Sequence, residues 1–340
     1  MSAETRISNQ ISDAWRKAHV APLWESPTAH KEPTGPQAPH LWSWSEVRPL
    51  VQMAMDNASP AAVERRVLSL INPRPRSAED EATQGNLSVA IQSLLPGESA
   101  RPHRHSMNAL RFVLEGSGAE TIVNGKHCPM EFGDLVLTPA WCWHEHRHNG
   151  TEPMIWLDAL DVPLHLFLGT AEFEPGPIKQ LPETISDSAF AVPNILPEGA
   201  NAAAGYSPVF RYPYRDARQA VQAAPVGPDG TRKVRYANPV NGGPAMSLLD
   251  STLMQIDKDT SSRPVRTNCN VVCCVVEGAG RSRVGNQDID WKEKDIFTVP
   301  PGNWVSHQSD TKFARLFMVS DRDALGRLGV LREELGNVRT

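Results

Sequence analysis

The chain has 340 residues, with 34 Lys and Arg against 39 Asp and Glu and a formal net charge of −5. That length accommodates two domains of ordinary size, each with its own core, and the acidic balance gives no global attraction to nucleic acid or to an anionic membrane. Any anionic ligand must therefore be held by a local positive group. Five cysteines, at positions 128, 142, 269, 273 and 274, are odd in number and show no C-x-x-C spacing, the start MSAETRISNQISDAW has no apolar leader, and no apolar run is long enough to span a bilayer. A soluble protein of the reducing cytoplasm is expected. No Gly-rich strand-to-helix fingerprint and no basic patch interleaved with aromatics is visible, so neither a nucleotide cofactor nor nucleic acid is expected.

In chain order, residues 1–75 read as an irregular, partly helical arm. An amphipathic segment at 7–20 precedes a proline-rich stretch whose prolines argue against long helices, while Trp24, Trp42 and Trp44 offer large surfaces to bury. Such an arm should wrap a domain or cross to another subunit. SPAAVERRVLSL, at 59–70, has the pattern of a helix with Ser59 as its cap and Pro60 at its first position. From Asn86 the texture changes to short apolar runs between Gly, Pro, Asn and Asp, as in LSVAIQSLLP, ALRFVLEGSGAETIVNG and PMIWLDALDVPL, which argues for a sandwich or small barrel. A long Pro-, Ala- and Asn-rich connection follows, and strand texture returns near 245 with MSLLDSTLMQI and NVVCCVVEGAGRSRVG.

The second block repeats the first. VLEGSG at 113–118 matches VVEGAG at 275–280, and GDLVLTPAWCWHEH at 133–146 matches KDIFTVPPGNWVSH at 294–307. Two equivalent β domains are the natural reading.

RPHRHSMNALRFVLEG places His103 and His105 on one face of a strand, because side chains alternate. Two imidazoles on one face can bite a single cation; an ordinary pair of surface or hydrogen-bonded histidines is the alternative. His144, beyond a further strand, can be brought opposite them by an antiparallel neighbour. Three neutral nitrogens leave positions open on an octahedral metal, which suits Fe(II), with Mn, Ni, Zn and Cu as chemical competitors. Arg111 shares the parity of the two histidines and on a regular strand enters the same interior. A guanidinium there needs a partner, either a substrate carboxylate or an ion pair with a residue such as Asp158.

GESARPHRH followed by Glu115 and Gly116 resembles the first cupin motif, and GDLVLTPAWCWH resembles the second. HRHSMNALRFVLEG, PAWCWHEH and WLDALDVPL, with APLW and ERRVLSLINP nearer the start, closely resemble the gentisate 1,2-dioxygenase family, which includes salicylate-type and 1-hydroxy-2-naphthoate dioxygenases. The likeness spans nearly the whole chain and is weakest over 166–235. It implies an all-β bicupin fold of two jelly-roll barrels: an arm at 1–75, a catalytic cupin domain at 76–165, a linker at 166–239 and a second, metal-free cupin domain at 240–330.

The resemblance also implies an Fe(II)-dependent, extradiol-type dioxygenase. Its substrate would be gentisate, salicylate or a 5-substituted salicylate such as 5-nitrosalicylate, opened between the carboxyl-bearing and hydroxyl-bearing carbons. Alternatives are a 1-hydroxy-2-naphthoate dioxygenase, another metallocupin enzyme, or a non-enzymatic bicupin that binds an aromatic acid. By the resemblance, His103, His105 and His144 hold the metal, and no acidic ligand stands in SMNALR; Glu115 lies in the turn after the strand. Arg111 captures the substrate carboxylate, His146 contacts the phenolic oxygen or moves a proton, Asp158 orients His146 or a water, and Gln92 bonds to substrate. Asn86, Met107 and Trp143 are pocket candidates. Met107 stands where relatives tend to carry a glutamine, so the pocket is expected to tolerate a ring without the second hydroxyl.

Asp161 reads as a cap before Pro163, and Trp141 as packing. In the second copy SRPVRTNCNVV replaces the histidine pair and only His307 remains of a potential triad; Cys269, Cys273 and Cys274 read as buried small apolar groups rather than as a soft-metal site. Relatives imply a homo-oligomer, tetramer before dimer.

Overall fold

The computed structural model describes residues 13–15, 17–20, 37–73, 82–178, 180–192, 195–200, 205–258 and 260–337. The chain divides into a unit at Met1–Gly35 and a unit at Pro36–Thr340. In the smaller unit residues 13–15 and 17 are helical; half of the segment expected at 7–20, and Trp24, lie outside the described residues.

Two antiparallel barrels make up the larger unit, and they match strand for strand. The first has a six-stranded sheet in the order Arg211–Tyr212, Leu135–Thr138, Ala109–Glu115, Met154–Leu160, Ser88–Leu94, Val67–Ser69. Its five-stranded sheet runs Phe173–Pro175, Ser99–His105, His144–His148, Ala119–Val123, Lys126–Met130. The second barrel repeats the larger sheet as Leu41–Trp42, Ile296–Val299, Val271–Glu277, Phe313–Ser320, Asp250–Asp257, Arg232–Arg235. Its smaller sheet is Glu333–Leu335, Val265–Thr267, Trp304–Ser309, Ala279–Val284, Gln287–Lys292. This is the all-β bicupin architecture.

The runs ALRFVL, apolar but for Arg111, and VVCCVV belong to strands covered on both faces. One core cluster includes residues of both larger sheets, and within it Phe112 and Phe317 stack with ring centroids 4.1 Å apart. Outer strands alternate instead, as Ile289 and Trp291 turn inward from an otherwise exposed Gln287–Lys292.

The strand that completes each larger sheet comes from the segment before the other barrel. Leu41–Trp42 pairs with Ile296–Val299, and Arg211–Tyr212 pairs with Leu135–Thr138. Each leads into a helix whose first N–H is held by an aspartate of the sheet it joins: Trp44 N donates to Asp295 Oδ1 at 2.7 Å and Tyr214 N to Asp134 Oδ1 at 2.9 Å. A carboxylate at a helix start satisfies an otherwise unpaired donor and meets the positive end of the helix. The repeated glutamates finish the clamp, Glu115 on Trp44, Arg48 and Lys294, and Glu277 on Tyr214 and Arg315. Gly133 is required beneath Tyr214: its φ is +78° and a Cβ there would lie 2.4 Å from the ring.

Two local expectations are corrected. A helix spans Trp44–Asn57 despite Pro49, because Trp44, Val47, Val51 and Met55 form a buried stripe whose packing outweighs one missing main-chain bond. Conversely, the helix expected at 59–70 covers only Pro60–Val63, and Ser59 makes no side-chain cap bond. Glu64 turns the chain at φ 63°, and Val67–Ser69 becomes an edge strand against Ser88–Leu94, so sheet pairing overrides helical preference. The connection at 166–239 supplies strands to both barrels. Among the described residues no helix is long and apolar enough to cross a membrane.

Candidate metal centre

His103 and His105 end the strand Ser99–His105, and His144 begins His144–His148. In the antiparallel register His103 lies directly opposite His144. Ring centroids are 4.1 Å apart for His103 and His144, 4.9 Å for His105 and His144, and 5.6 Å for His103 and His105. One ring nitrogen from each lies within 4.8 Å of the others, and all three residues are buried.

Their protonation follows from the main chain. Each Nδ1 faces a carbonyl oxygen: His103 to Arg101 at 3.1 Å, His105 to Met107 at 2.8 Å, His144 to Cys142 at 2.9 Å. A carbonyl only accepts, so each Nδ1 carries the proton and each Nε2 keeps its lone pair. Nε2 of His103 and of His144 is buried with no partner among the described residues. Burial, followed by Arg65, lowers the His103 pKa to about 3; burial lowers that of His105 to about 4 against the Met107 carbonyl bond, and that of His144 goes well below its ordinary value. Three neutral imidazoles held by backbone carbonyls and converging on one point fit a single divalent cation.

The facing sheet completes the interior. Arg111 is buried, its Nε 3.3 Å from Asp158 Oδ1 and its Nη1 2.5 Å from Thr138 Oγ1. Asp158 also accepts from Trp156 Nε1 at 3.1 Å. Burial raises the Asp158 pKa to about 6 against the pull of Arg111. His146 is buried, with Nδ1 2.9 Å from Thr121 Oγ1 and Nε2 without a partner among the described residues, and its ring centroid lies 5.3 Å from that of Trp156. Gln92 sits opposite Trp156, buried, with Nε2 unpartnered.

Comparison with known proteins places this arrangement. The cupin domain model matches residues 90–160. A gentisate 1,2-dioxygenase of Aquipseudomonas alcaligenes is 36% identical over 97% of each chain, and a 5-aminosalicylate 1,2-dioxygenase of a Comamonas species is 33% identical over 94% of this chain and 87% of that one. The crystal structure of a salicylate 1,2-dioxygenase from Pseudaminobacter salicylatoxidans superposes with a TM-score of 0.88 at 29% identity, covering 98% of this chain and 99% of that one. The chain belongs to the gentisate and salicylate 1,2-dioxygenase family.

Within this family member some sequence expectations fall elsewhere. Asp158 does not orient His146; Thr121 does, and Asp158 pairs with Arg111. Asn86 donates to Asp321, at the end of a strand of the second barrel. Trp143 lies under the Arg104 guanidinium at 4.9 Å, and Arg104, between the two histidines, points from the opposite face of their strand and bonds Glu174. The chain leaves the strand at His105, so parity no longer governs Met107, whose carbonyl takes the His105 bond and whose sulfur meets Ser106. Asp161 makes no cap bond; it accepts from Asn108 N and Nδ2, and Asp321 holds Asn270 identically in the second barrel. Glu115 is spent on Trp44, Arg48 and Lys294.

Arg65 and Phe173 went unseen. The Arg65 guanidinium lies 5.3 Å over the Phe173 ring, which stacks on His103 at 5.4 Å. Its charge opposes protonation of His103, His105 and His146. Nothing in ERRVLS separates Arg65 from a solvated helix face until Glu64 is known to break the helix.

Proposed function

We propose that the protein is an Fe(II)-dependent dioxygenase that opens a salicylate-type aromatic acid with molecular oxygen, cleaving between the carboxyl-bearing and hydroxyl-bearing ring carbons. The observation that carries this reading is the convergence of three Nε2 lone pairs, each fixed by an Nδ1–H bond to a main-chain carbonyl. His103, His105 and His144 hold the iron. When bound, Fe(II) supplies the Lewis acidity and one-electron chemistry that the reaction of an aromatic ring with oxygen requires.

The remaining groups bind, orient and move protons. Arg111, fixed by Asp158 and Thr138, and Arg65, which pairs with the exposed Glu64 and lies over Phe173, place two guanidinium groups around the interior, an arrangement that suits an anionic acid. Gln92 Nε2 is a spare donor for a ring substituent. His146, with Nδ1 tied to Thr121, presents Nε2 to the interior, where it takes or returns the phenolic proton. Burial of the whole set excludes water and strengthens each of these contacts.

A salicylate without a 5-hydroxyl, or with another 5-substituent, is favoured equally with gentisate, since the relatives include both gentisate 1,2-dioxygenases and a 5-aminosalicylate 1,2-dioxygenase. We read the chain as a homotetramer of the cytoplasm: Leu166, Phe167 and Leu168 are exposed together on one short helix, and all five cysteines are free thiols in buried positions.

Anaerobic reconstitution with Fe(II), followed by oxygen uptake and ultraviolet spectra with gentisate, salicylate, 5-aminosalicylate and 5-nitrosalicylate, tests the reading. Oxygen consumed one-to-one with loss of the aromatic band is expected. One bound iron per chain with no uptake on any of these acids would overturn it.

A further inference from the structure

The second barrel holds a cavity of about 210 Å³ where the first holds its histidine triad. Register fixes the correspondence. Val265 pairs with Val305 as His103 pairs with His144, and Ser282 lies opposite His307 as Thr121 lies opposite His146. His307 is therefore the counterpart of His146 rather than of a metal ligand. The three ligand positions carry Val265, Thr267 and Val305, all smaller than histidine, and they line open space instead of filling it.

The cavity has a largely apolar body and, beside the hydroxyls of Thr252, Ser262, Thr267 and Ser320, one ring N–H as its polar handle. Met254, Val271 and Met318 form walls, and the charged residues that reach it are already matched: Lys233 bonds Asp229 at 2.6 Å, Arg322 bonds Glu333 at 2.7 Å, and Asp250 takes Arg235 at 2.6 Å. Among the described residues no free charge is left for an ionic guest. The handle is His307, 4% exposed, and its tautomer is fixed by its neighbours. Trp291 Nε1, which can only donate, gives its proton to Ser282 Oγ at 2.7 Å, and Ser282 Oγ lies 2.7 Å from His307 Nδ1. Ser282 is fully buried, and Nδ1 is the one acceptor its own proton reaches among the described residues. The hydroxyl therefore donates to Nδ1, and the ring carries its proton on Nε2. That N–H makes no bond among the described residues. Burial, with Lys233 nearby, lowers the pKa of His307 to about 3, which keeps the ring neutral.

We propose that the second barrel is a binding site for a small uncharged molecule with an apolar, ring-sized body and a carbonyl-type oxygen that accepts from His307 Nε2–H. An apolar cavity of roughly 150 Å³ holds benzene, so the volume here admits a ring and a short carbonyl arm. The site is independent of the iron chemistry of the first barrel, and its occupant need not be a substrate.

Two bromine-labelled probes of one shape test the proposal on the iron-loaded enzyme: 4-bromoacetophenone, which offers a carbonyl acceptor, and 1-bromo-4-ethylbenzene, which offers none. Soaked crystals should show an anomalous bromine peak inside the second barrel, with the ketone oxygen at His307 Nε2. In solution calorimetry the ketone should bind about fivefold more tightly than the hydrocarbon, a difference that one hydrogen bond supplies. His307→Phe should erase that preference, and Val265→Phe, which fills the cavity, should abolish binding of both. Should Val265→Phe fail to fold, the His307→Phe comparison still decides. No bromine in the second barrel, a peak seen only at soaking concentration without binding in solution, or a preference unchanged in His307→Phe would each overturn the proposal.

Discussion

Arg111 Nε and Asp158 Oδ1 lie 3.3 Å apart inside the first barrel, on side chains 5% and 7% exposed. The pair makes the guanidinium tolerable in an apolar interior and fixes its direction. Removing one partner leaves a buried charge uncompensated, at a cost of about 3 kcal/mol, while removing both costs less than the sum. Urea unfolding of Arg111→Met, Asp158→Asn and the double variant should show that non-additivity. Arg111→Met should also keep one iron per chain and raise KM; an unchanged KM would end its role in substrate capture.

His105→Ala should lose iron and oxygen uptake together, since each Nε2 is one of three donors. His146→Gln should keep the iron and lower kcat by about a hundredfold, the range of a single proton-transfer group. Metal analysis beside steady-state kinetics separates the two cases.

Arg65→Gln should raise KM for the acid by about tenfold, with iron content unchanged and stability within about 0.5 kcal/mol, because the side chain is partly exposed and acts through its charge. Raised ionic strength should mimic the variant in the wild-type enzyme.

His307 also makes a prediction about acid. Its folded pKa of about 3 lies below the ordinary value, so between the two the unfolded chain binds the extra proton. Its contribution is whole above about pH 6.5 and is lost as the pH falls toward 3. His307→Gln removes that dependence, and the stability gap between wild type and variant should narrow by about 2 kcal/mol between about pH 6.5 and about pH 4.5. Denaturant midpoints at both values measure it; a constant gap would mean that the ring takes up its proton without cost.

Legibility of the site in the sequence depended on whether a residue's neighbours were local. The His103 and His105 pair follows from strand alternation alone, and the repeat brings out both barrels. That alternation does not extend past His105 to Arg111, because the chain turns at Ser106 and Arg111 lies on the facing sheet. Arg111 is buried there beside Asp158. Nor does it extend to Met107, where the strand has already ended. Asn86 and Arg65 depend on contacts across the fold, with Asp321 and with Phe173, and no local pattern carries those. Within the arm, prolines argued against helix, but a buried stripe from Trp44 to Met55 mattered more than Pro49.

The crossed strands bear on how the molecule is made. Trp44 finds its aspartate 251 residues later, and the edge at Leu135–Thr138 stays open until Arg211–Tyr212 emerges. A ribosome that has delivered only the first barrel holds a product with a bare sheet edge and Phe112 facing solvent. A chain cut near residue 200 should aggregate as two fragments and regain solubility only when both are present, and folding should be slow, as expected for pairings so distant in sequence.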